Sequence, residues 1–412
     1  MDRETVLVGI DAGTTKVTTL IGEVGRSGDV DIIGYGIAPS AGMKKGMVAN
    51  IDQTVNSIAA SLEKAERLSG YKISSAFVSV GGSHISSQNS RGVVAVSGHK
   101  REVSREDVAR ATEAAKAVQM PSNRETLHVI PRGYIVDGQE GIKDPLGMSA
   151  VRLEVETHIV TGLSTSIQNL SKCIANANVH IDEMVISSLA AAEATLTDTE
   201  KELGVLVADI GGGTTDIAIF TDGGIYHSAV LPVGGINVTM DVAIGLRTSQ
   251  NLAEEIKIKH GTASLQAVQP EELLNVAVLG DGGGQTIQRR KLAEIIEARM
   301  SEIYSLIGEE IKRSGHAGML PAGVVLTGGG SRIAGAAELA REVFEMPVRI
   351  GVPQGVGGLM DQLSNPAFTT PIGLLLWGAH HAGEEPIGYA ASSPFSGAGS
   401  RFIDWIRGLF PG

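Results

Sequence analysis

The residues best suited to chemistry stand at one glycine turn, Asp209-Ile210-Gly211-Gly212-Gly213-Thr214-Thr215-Asp216. An apolar run over 205–208 leads into it and another over 217–220 leads out. This pattern predicts a strand, a tight turn and a second strand. Successive glycines let backbone N–H groups approach and cradle an anion with no Cβ in the way. Thr214 and Thr215 add hydroxyl donors. Asp209 and Asp216 flank the turn, where carboxylates can hold a hydrated Mg²⁺ that also bridges phosphate oxygens. A second copy separates this turn from an ordinary Gly-rich hairpin. Asp11-Ala12-Gly13-Thr14-Thr15-Lys16 follows the apolar run 6–8 and precedes another strand pattern, so Gly-Thr-Thr begins at both 13 and 213. Two such hairpins imply two similar half-molecules facing each other across a cleft.

Elements on either side must hold these turns. Residues 32–38 read as a strand. Residues 50–69 read as a helix, with Val55, Ile58, Ala59, Leu62 and Ala65 at helical spacing and Gly70 where a C-terminal cap belongs. Residues 73–81 read as a strand. Ser104-Arg105-Glu106-Asp107 is a capping box opening a helix through Val118, among candidate strands at 92–96, 126–136 and 152–160. Residues 81–159 therefore form a compact unit of their own. Helices are expected over 161–177 and 187–196, and a strand over 225–231. Glu254 and Lys257 are three apart on a later helical run and share a face. As an exposed ion pair they would contribute at most ~0.5 kcal/mol. Residues 262–288 look like irregular structure and short strands, with Gly282-Gly283-Gly284 as a loop lacking the Thr-Thr of the other turns. Residues 289–313 form a long amphipathic helix with Ile295, Ile296, Met300, Ile303, Leu306, Ile307 and Ile311 inward. A third glycine turn, Gly328-Gly329-Gly330-Ser331, follows the apolar run 324–326 and precedes a helix over 336–344.

The chain's end differs in character. Residues 383–400 are rich in Gly, Ala, Ser and Pro and read as a flexible linker. Beyond it, at 100° per residue, Phe402, Ile403, Trp405, Ile406, Leu409 and Phe410 share one helical face, with Arg401, Asp404, Arg407 and Gly408 on the other. A last helix packed on its own core would look the same. An isolated helix of this length is marginal in water and gains order by lying in a membrane interface.

Composition bounds the remaining choices. At 412 residues, two or more domains are expected, with ample core. A net charge of −12 argues against general nucleic-acid binding. Cys173 is the single cysteine, so a disulfide within the chain and a cysteine metal cluster are both excluded. His84, His99 and His128 lack metal-ligand spacing and read as surface or core histidines. No secretory signal and no apolar stretch of ~18 residues is present, so a cytoplasmic protein is expected. No βαβ fingerprint with a ribose-binding acid appears, which disfavours a nicotinamide enzyme.

The paired hairpins resemble the actin-like ATPase superfamily, which includes sugar kinases and DnaK-type chaperones. That resemblance implies an α/β, two-lobed fold with duplicated ribonuclease-H-like mixed sheets, and ATP or ADP with Mg²⁺ between the lobes. Asp11, Gly13, Thr14, Thr15 and Lys16 would hold the β/γ-phosphates from one lobe, and Asp209, Gly211, Gly212, Gly213, Thr214 and Thr215 from the other. Asp11 and Asp209 would hold Mg²⁺ through water. Glu254 and Lys257 would meet the ribose and adenine, and the turn Gly328-Gly329-Gly330-Ser331 would pack under the base. Several relatives start the helix near 187 with a Glu-Pro pair that places metal or water; Ser187-Ser188-Leu189 stands here, so at most weak ATPase activity is expected.

The unit at 81–159, with its Asp144-Pro145-Leu146-Gly147-Met148, and the amphipathic tail narrow the resemblance to the FtsA family of cell-division proteins. It implies a first-lobe core of 1–80, 160–199 and 367–385, an inserted subdomain at 81–159, and a second-lobe core of 200–234 and 317–366. An outer subdomain at 235–316, a linker at 386–400 and a membrane-targeting helix at 401–412 complete the scheme. Family members polymerise, recruit other divisome proteins and tie FtsZ to the cytoplasmic face of the membrane at the division septum. The acidic and apolar FtsZ C-terminal peptide is assigned to Arg299 first, with Arg290 and Lys291 at the start of the same helix. Two alternatives stay open: a sugar-kinase-type phosphotransferase, for which no general base stands out, and a pilus-assembly relative, which would not be expected to need the tail.

Overall fold

Two mixed sheets of the same design carry the two Gly-Thr-Thr turns. In spatial order the first runs His180–Ile186, Ser75–Val80, Thr5–Ala12, Lys16–Val24, Val30–Pro39, Val356–Gly358. The second runs Gly224–Leu231, Thr215–Thr221, Val205–Ile210, Gly323–Thr327, Val348–Ile350. Each contains a three-stranded antiparallel meander, extended by two parallel strands beside the meander's first strand. Parallel neighbours need crossover connections, and helices supply them in both halves. The computed structural model describes residues 5–97, 101–118, 120–277 and 284–381.

The helices follow their local signals. In Ile51–Ser69 the Asn50 side chain accepts the Gln53 N–H at 3.0 Å, and Gly70 ends the helix at φ 72. Its buried face is Thr54, Ser57, Ile58, Ser61, Leu62 and Ala65. Ser187–Thr195 is buried on nearly every side, with Ala190, Ala191 and Ala192 fully enclosed. Its small side chains let it pack against both the last helix, Thr369–His381, and the second sheet. The long helix Arg289–Arg313 has the expected bounds, and Ile296, Met300, Ile303, Ile307 and Ile311 are buried in the second core.

Three differences from the sequence expectations have clear causes. The helix expected from 161 starts at Ser164, because the strand Arg152–Leu163 continues as far as its pairing with Arg124–Val136. The first insertion strand is Ser86–Ala95 rather than 92–96; its polar first half hides the alternation on which a strand assignment rests. Val356–Gly358 pairs in parallel with Val30–Ile32 and so joins the first sheet, although 317–366 is expected in the second lobe. A three-residue strand carries too little pattern to choose a sheet.

The insertion is a four-stranded sheet ordered Ser86–Ala95, Arg152–Leu163, Arg124–Val136, Gln139–Ile142, with the helix Arg105–Lys116 on one face. Ser104 and Asp107 form the anticipated capping box. Among the described residues no helix is long and apolar enough to cross a membrane. The linker, the tail face Phe402, Ile403, Trp405, Ile406, Leu409 and Phe410, the loop glycines Gly282 and Gly283, and His99 lie outside the described residues.

Candidate functional site

The two Gly-Thr-Thr turns meet tip to tip. In the first, the Gly13 N–H donates to the Lys16 carbonyl at 3.0 Å; in the second, the Gly211 N–H donates to the Thr214 carbonyl at 2.9 Å. A Cβ on Gly212 would stand 2.5 Å from Thr15 Cγ2, and one on Gly213 2.7 Å from Thr14 Oγ1. Only glycine lets the turns approach this closely. Beside them opens a cavity of about 720 Å³ between the lobes.

Its floor is acidic. Asp11 accepts the Ser79 hydroxyl at 2.7 Å, Asp209 accepts the Thr370 hydroxyl at 2.5 Å, and Asp216 accepts the Thr214 hydroxyl at 2.9 Å. Lys16 donates to the Ala367 carbonyl at 2.7 Å, and its Nζ lies 3.5 Å from the Phe368 ring centroid. Burial pushes all three carboxyls up. Asp209 rises to about 6 against its Thr370 hydrogen bond, and Asp216 to about 8, with the Asp209 charge adding to burial. Asp11 rises despite Ser79 and Lys16. Burial also lowers Lys16 to about 8, although Asp11 and Asp209 oppose the change. Carboxyls raised in this way are short of positive charge, which a bound cation would supply. Among the described residues no group of three or more His, Cys, Asp or Glu could hold a metal ion directly.

The outer part of the cavity brings in two further elements. Lys257, whose side chain is 9% exposed, lies 2.7 Å from Glu254 and donates to Thr239 Oγ1 at 2.8 Å and to the Gly235 carbonyl at 3.2 Å. The pair lines the cavity, so it is more than a solvated ion pair. Gly328 has φ 79, and a Cβ there would stand 2.2 Å from Asp209 Oδ1. The third turn therefore rests on the acid of the second.

Of the residues picked out in sequence, Asp11, Gly13, Thr14, Thr15, Lys16, Asp209, Gly211, Gly212, Thr214, Glu254, Lys257, Gly328, Gly329 and Gly330 line this one cavity. Gly213 packs behind the tip against Thr14 and Lys45. Thr215 is fully buried and donates to the Val233 carbonyl at 2.9 Å, so its hydroxyl points away from the cavity. Ser331 Oγ donates to the Gly328 carbonyl at 2.8 Å and braces the turn from within. Ser187 lines the cavity at the first position of its helix, and the first turn there contains no acid.

Sequence reasoning missed Ser79, Thr370, Phe368 and Arg332, which also line the cavity, and grouped Arg289 with the basic residues of the peptide face although it lines the cavity and pairs with Glu272 at 2.8 Å. Ser79 carries no local signal; it arrives because Ser75–Val80 pairs beside Thr5–Ala12.

The cationic helix face assigned to a peptide lies elsewhere. Arg299 is held by Asp241 at 2.5 and 3.1 Å and by Glu302 at 2.6 Å. Arg290 pairs with Glu294 at 3.3 Å. Lys291 is exposed and forms no ion pair among the described residues. On the helix Gly235–Leu246, next to Asp241, Met240 and Ile244 are 49% and 75% exposed, an apolar pair that sequence reasoning did not single out.

Comparison with known proteins places this architecture. The family description "Cell division protein FtsA" matches residues 206–373, and "SHS2 domain inserted in FTSA" matches 82–161. The chain is 43% identical over 411 residues to the cell division protein FtsA of Pseudomonas aeruginosa, covering 98% of each chain. It is 38% identical over 418 residues to that of Escherichia coli K12, covering 99% of each. Among solved structures it resembles the PilM-PilN type IV pilus biogenesis complex, with TM-score 0.66, 16% identity, and 92% of this chain and 99% of the other covered. MreB5 of Spiroplasma citri bound to ADP gives TM-score 0.55 at 15% identity, covering 90% and 95%. These likenesses give an actin-like fold of two duplicated lobes, with the insertion in the first. Sequence identity of this extent separates the chain from sugar kinases and from the pilus relative, and it belongs to the FtsA family of cell-division proteins.

Proposed function

We propose that the interlobe cavity binds ATP or ADP with Mg²⁺. The observation that carries this reading is the tip-to-tip meeting of two glycine turns over three proton-hungry carboxyls. The residues fit the ligand. Backbone N–H groups of residues 14, 15 and 212–214 would receive phosphate oxygens, and Lys16 would neutralise them. Asp11 and Asp209 would hold Mg²⁺ through its water shell, since too few ligands converge for direct coordination. A cation held there would supply the positive charge that the phosphates and the buried carboxyls lack. Glu254 and Lys257 would meet the ribose, and Gly328 to Gly330 would face the base. Hydrolysis would be weak, because Ser187 cannot accept a proton from water as a carboxylate can. Isothermal titration of Mg-ATP tests the site. Asp209→Asn and Lys16→Ala should each bind at least about tenfold more weakly, the worth of one charge-assisted contact; unchanged affinity in both would remove the assignment.

Family membership supports a wider role: a polymerising adaptor that ties FtsZ and other divisome proteins to the cytoplasmic face of the membrane at the septum. The amphipathic pattern of residues 401–410 supports the membrane contact, with apolar insertion outweighing lipid charge. Co-sedimentation with lipid vesicles, with and without residues 401–412, tests it. ATP would favour head-to-tail contacts between copies; electron microscopy on a lipid monolayer should show filaments, and persistent monomers would refute this part. The FtsZ peptide would dock at Arg299, with Met240 and Ile244 receiving its apolar side chains.

A further inference from the structure

The insertion belongs to the first lobe by chain order, yet it also meets the second lobe, through an exposed Lys143–Glu202 ion pair at 2.8 Å and through one hairpin. That hairpin is Thr215–Thr221 paired with Gly224–Leu231; its first strand carries Asp216 opposite Val230 and Ala218 opposite Ser228. Two parts of the insertion bear on it. At the insertion's root, a Cβ on Gly81 would stand 3.1 Å from Asp216 Oδ1. Along its sheet edge, Ser87 Oγ donates to the Ser228 carbonyl at 2.7 Å, and Asn89 Nδ2 donates to the Tyr226 carbonyl at 3.0 Å. His158 joins the two sides. Its Nδ1 is 2.8 Å from Asn89 Oδ1 and its Nε2 is 2.9 Å from Ser228 Oγ. Burial, helped by the neighbouring His227 and Arg132 charges, holds this ring down at about 3, so the neutral imidazole makes the bridge. Arg132 lies 4.1 Å from the Tyr226 ring centroid and covers its face.

We propose that the insertion is a clamp on the second lobe that sets the rate at which nucleotide leaves the cleft. This rests on the nucleotide reading above. Separating the lobes must move Asp216 away from Gly81, and the hairpin that carries Asp216 is held two to four residue pairs away by Ser87, Asn89 and His158. Hydrogen bonds lost on opening and not replaced raise the barrier to it. The same connection works in reverse: anything that draws the insertion off Gly224–Leu231 loosens one wall of the phosphate site. The inserted subdomain thereby becomes a control on nucleotide exchange as well as a part of the surface.

Dissociation of a fluorescent ATP analogue, chased with excess ATP in a stopped-flow instrument, tests this in the full chain. The variants are Ser228→Ala and the pair Asn89→Ala with Ser228→Ala. Glu113→Ala, on the helix Arg105–Lys116, is the comparator. The double variant should release the analogue at least about fivefold faster, and the comparator should match the parent. A double variant that is folded by circular dichroism and releases within about twofold of the parent overturns the clamp. Should the double variant fail to fold, Ser87→Ala, which removes one hydroxyl, takes its place: faster release supports the clamp and an unchanged rate overturns it. A parent that binds no analogue overturns the nucleotide reading instead. The grip is then read from amide hydrogen exchange over 215–231, where faster exchange in the variants supports it and unchanged exchange overturns it.

Discussion

The Thr370 hydroxyl donates to Asp209 Oδ2 at 2.5 Å, across the boundary between the two lobes. Thr370 is the second residue of the last helix of the first lobe, and Asp209 is the penultimate residue of the first strand of the second. One hydrogen bond therefore ties the lobes and also stabilises the charged form of a buried acid.

Thr370→Val should raise Asp209 above its present value of about 6, because the bond that opposes burial is gone. At pH 7 a larger fraction of Asp209 would then be protonated and unable to hold the metal's water shell. Mg-ATP affinity should fall by about tenfold at pH 7 and recover toward pH 8.5, following a loss of roughly 1.5 kcal/mol for a hydrogen bond to a charged group. Calorimetric titrations across this range would show it. A pH profile identical to the parent's would mean that Thr370 does not act through Asp209.

The apo protein should lose stability as pH rises, and Asp216 should account for part of the loss. Burial raises its folded pKa to about 8, well above the usual carboxylate value near 3.8. Stability from such a group is fully present below the unfolded pKa and is lost as pH climbs through the folded one. Asp216→Asn keeps an acceptor for Thr214 and never ionises. At pH 9 the variant should melt higher than the parent by about 2 °C or more, and the gap should close toward pH 4. Differential scanning calorimetry without nucleotide checks this; a gap constant with pH would contradict it.

Gly328 should tolerate no side chain. Its φ is 79, and a Cβ would stand 2.2 Å from Asp209 Oδ1 and 2.6 Å from the Ile210 carbonyl. Gly328→Ala combines left-handed backbone strain of roughly 1–3 kcal/mol with displacement of Asp209, the acid proposed to hold the metal's water shell. Both the melting temperature and Mg-ATP affinity should drop. Gly329→Ala is the contrast, because a Cβ there meets only Ala367 Cβ at 3.9 Å. Equal losses in the two variants would show that the clash with Asp209 is irrelevant.

Much of this architecture is legible in the chain because its signals are local. The two Gly-Thr-Thr turns, the Gly70 cap, the Ser104 capping box and the stripe along 289–313 each declare themselves within a few residues. What stays hidden depends on long-range pairing. Ser79 and Thr370 look like ordinary serine and threonine until strand order and the last helix bring them to Asp11 and Asp209. Val356–Gly358 is too short to announce its sheet. Hydroxyl direction is hidden for the same reason. Thr214 and Thr215 are adjacent and alike in sequence, yet alternation along the strand aims one at Asp216 and the other at the Val233 carbonyl.

Arg299 poses the sharpest test of the peptide reading, because its guanidinium already has partners. Asp241 and Glu302 hold it on the surface of the second lobe, and its side chain stays 25% exposed. An incoming acidic peptide must share that charge or displace Asp241. Arg299→Glu would put a third acid beside Asp241 and Glu302, so binding of a labelled FtsZ C-terminal peptide should be lost while Mg-ATP and vesicle binding persist. Asp241→Asn does the opposite and leaves the guanidinium with Glu302 as its one acidic partner, so it should tighten the peptide by a few-fold, with a steeper dependence on salt. Ile244→Ser should weaken it at every salt concentration, since burying an apolar side chain of that size contributes roughly 1.5–3 kcal/mol and is not screened. Fluorescence anisotropy at two salt concentrations separates the three outcomes. If Arg299→Glu and Ile244→Ser both bind as tightly as the parent, the peptide docks elsewhere, and the sheet of the inserted subdomain is the next surface to probe.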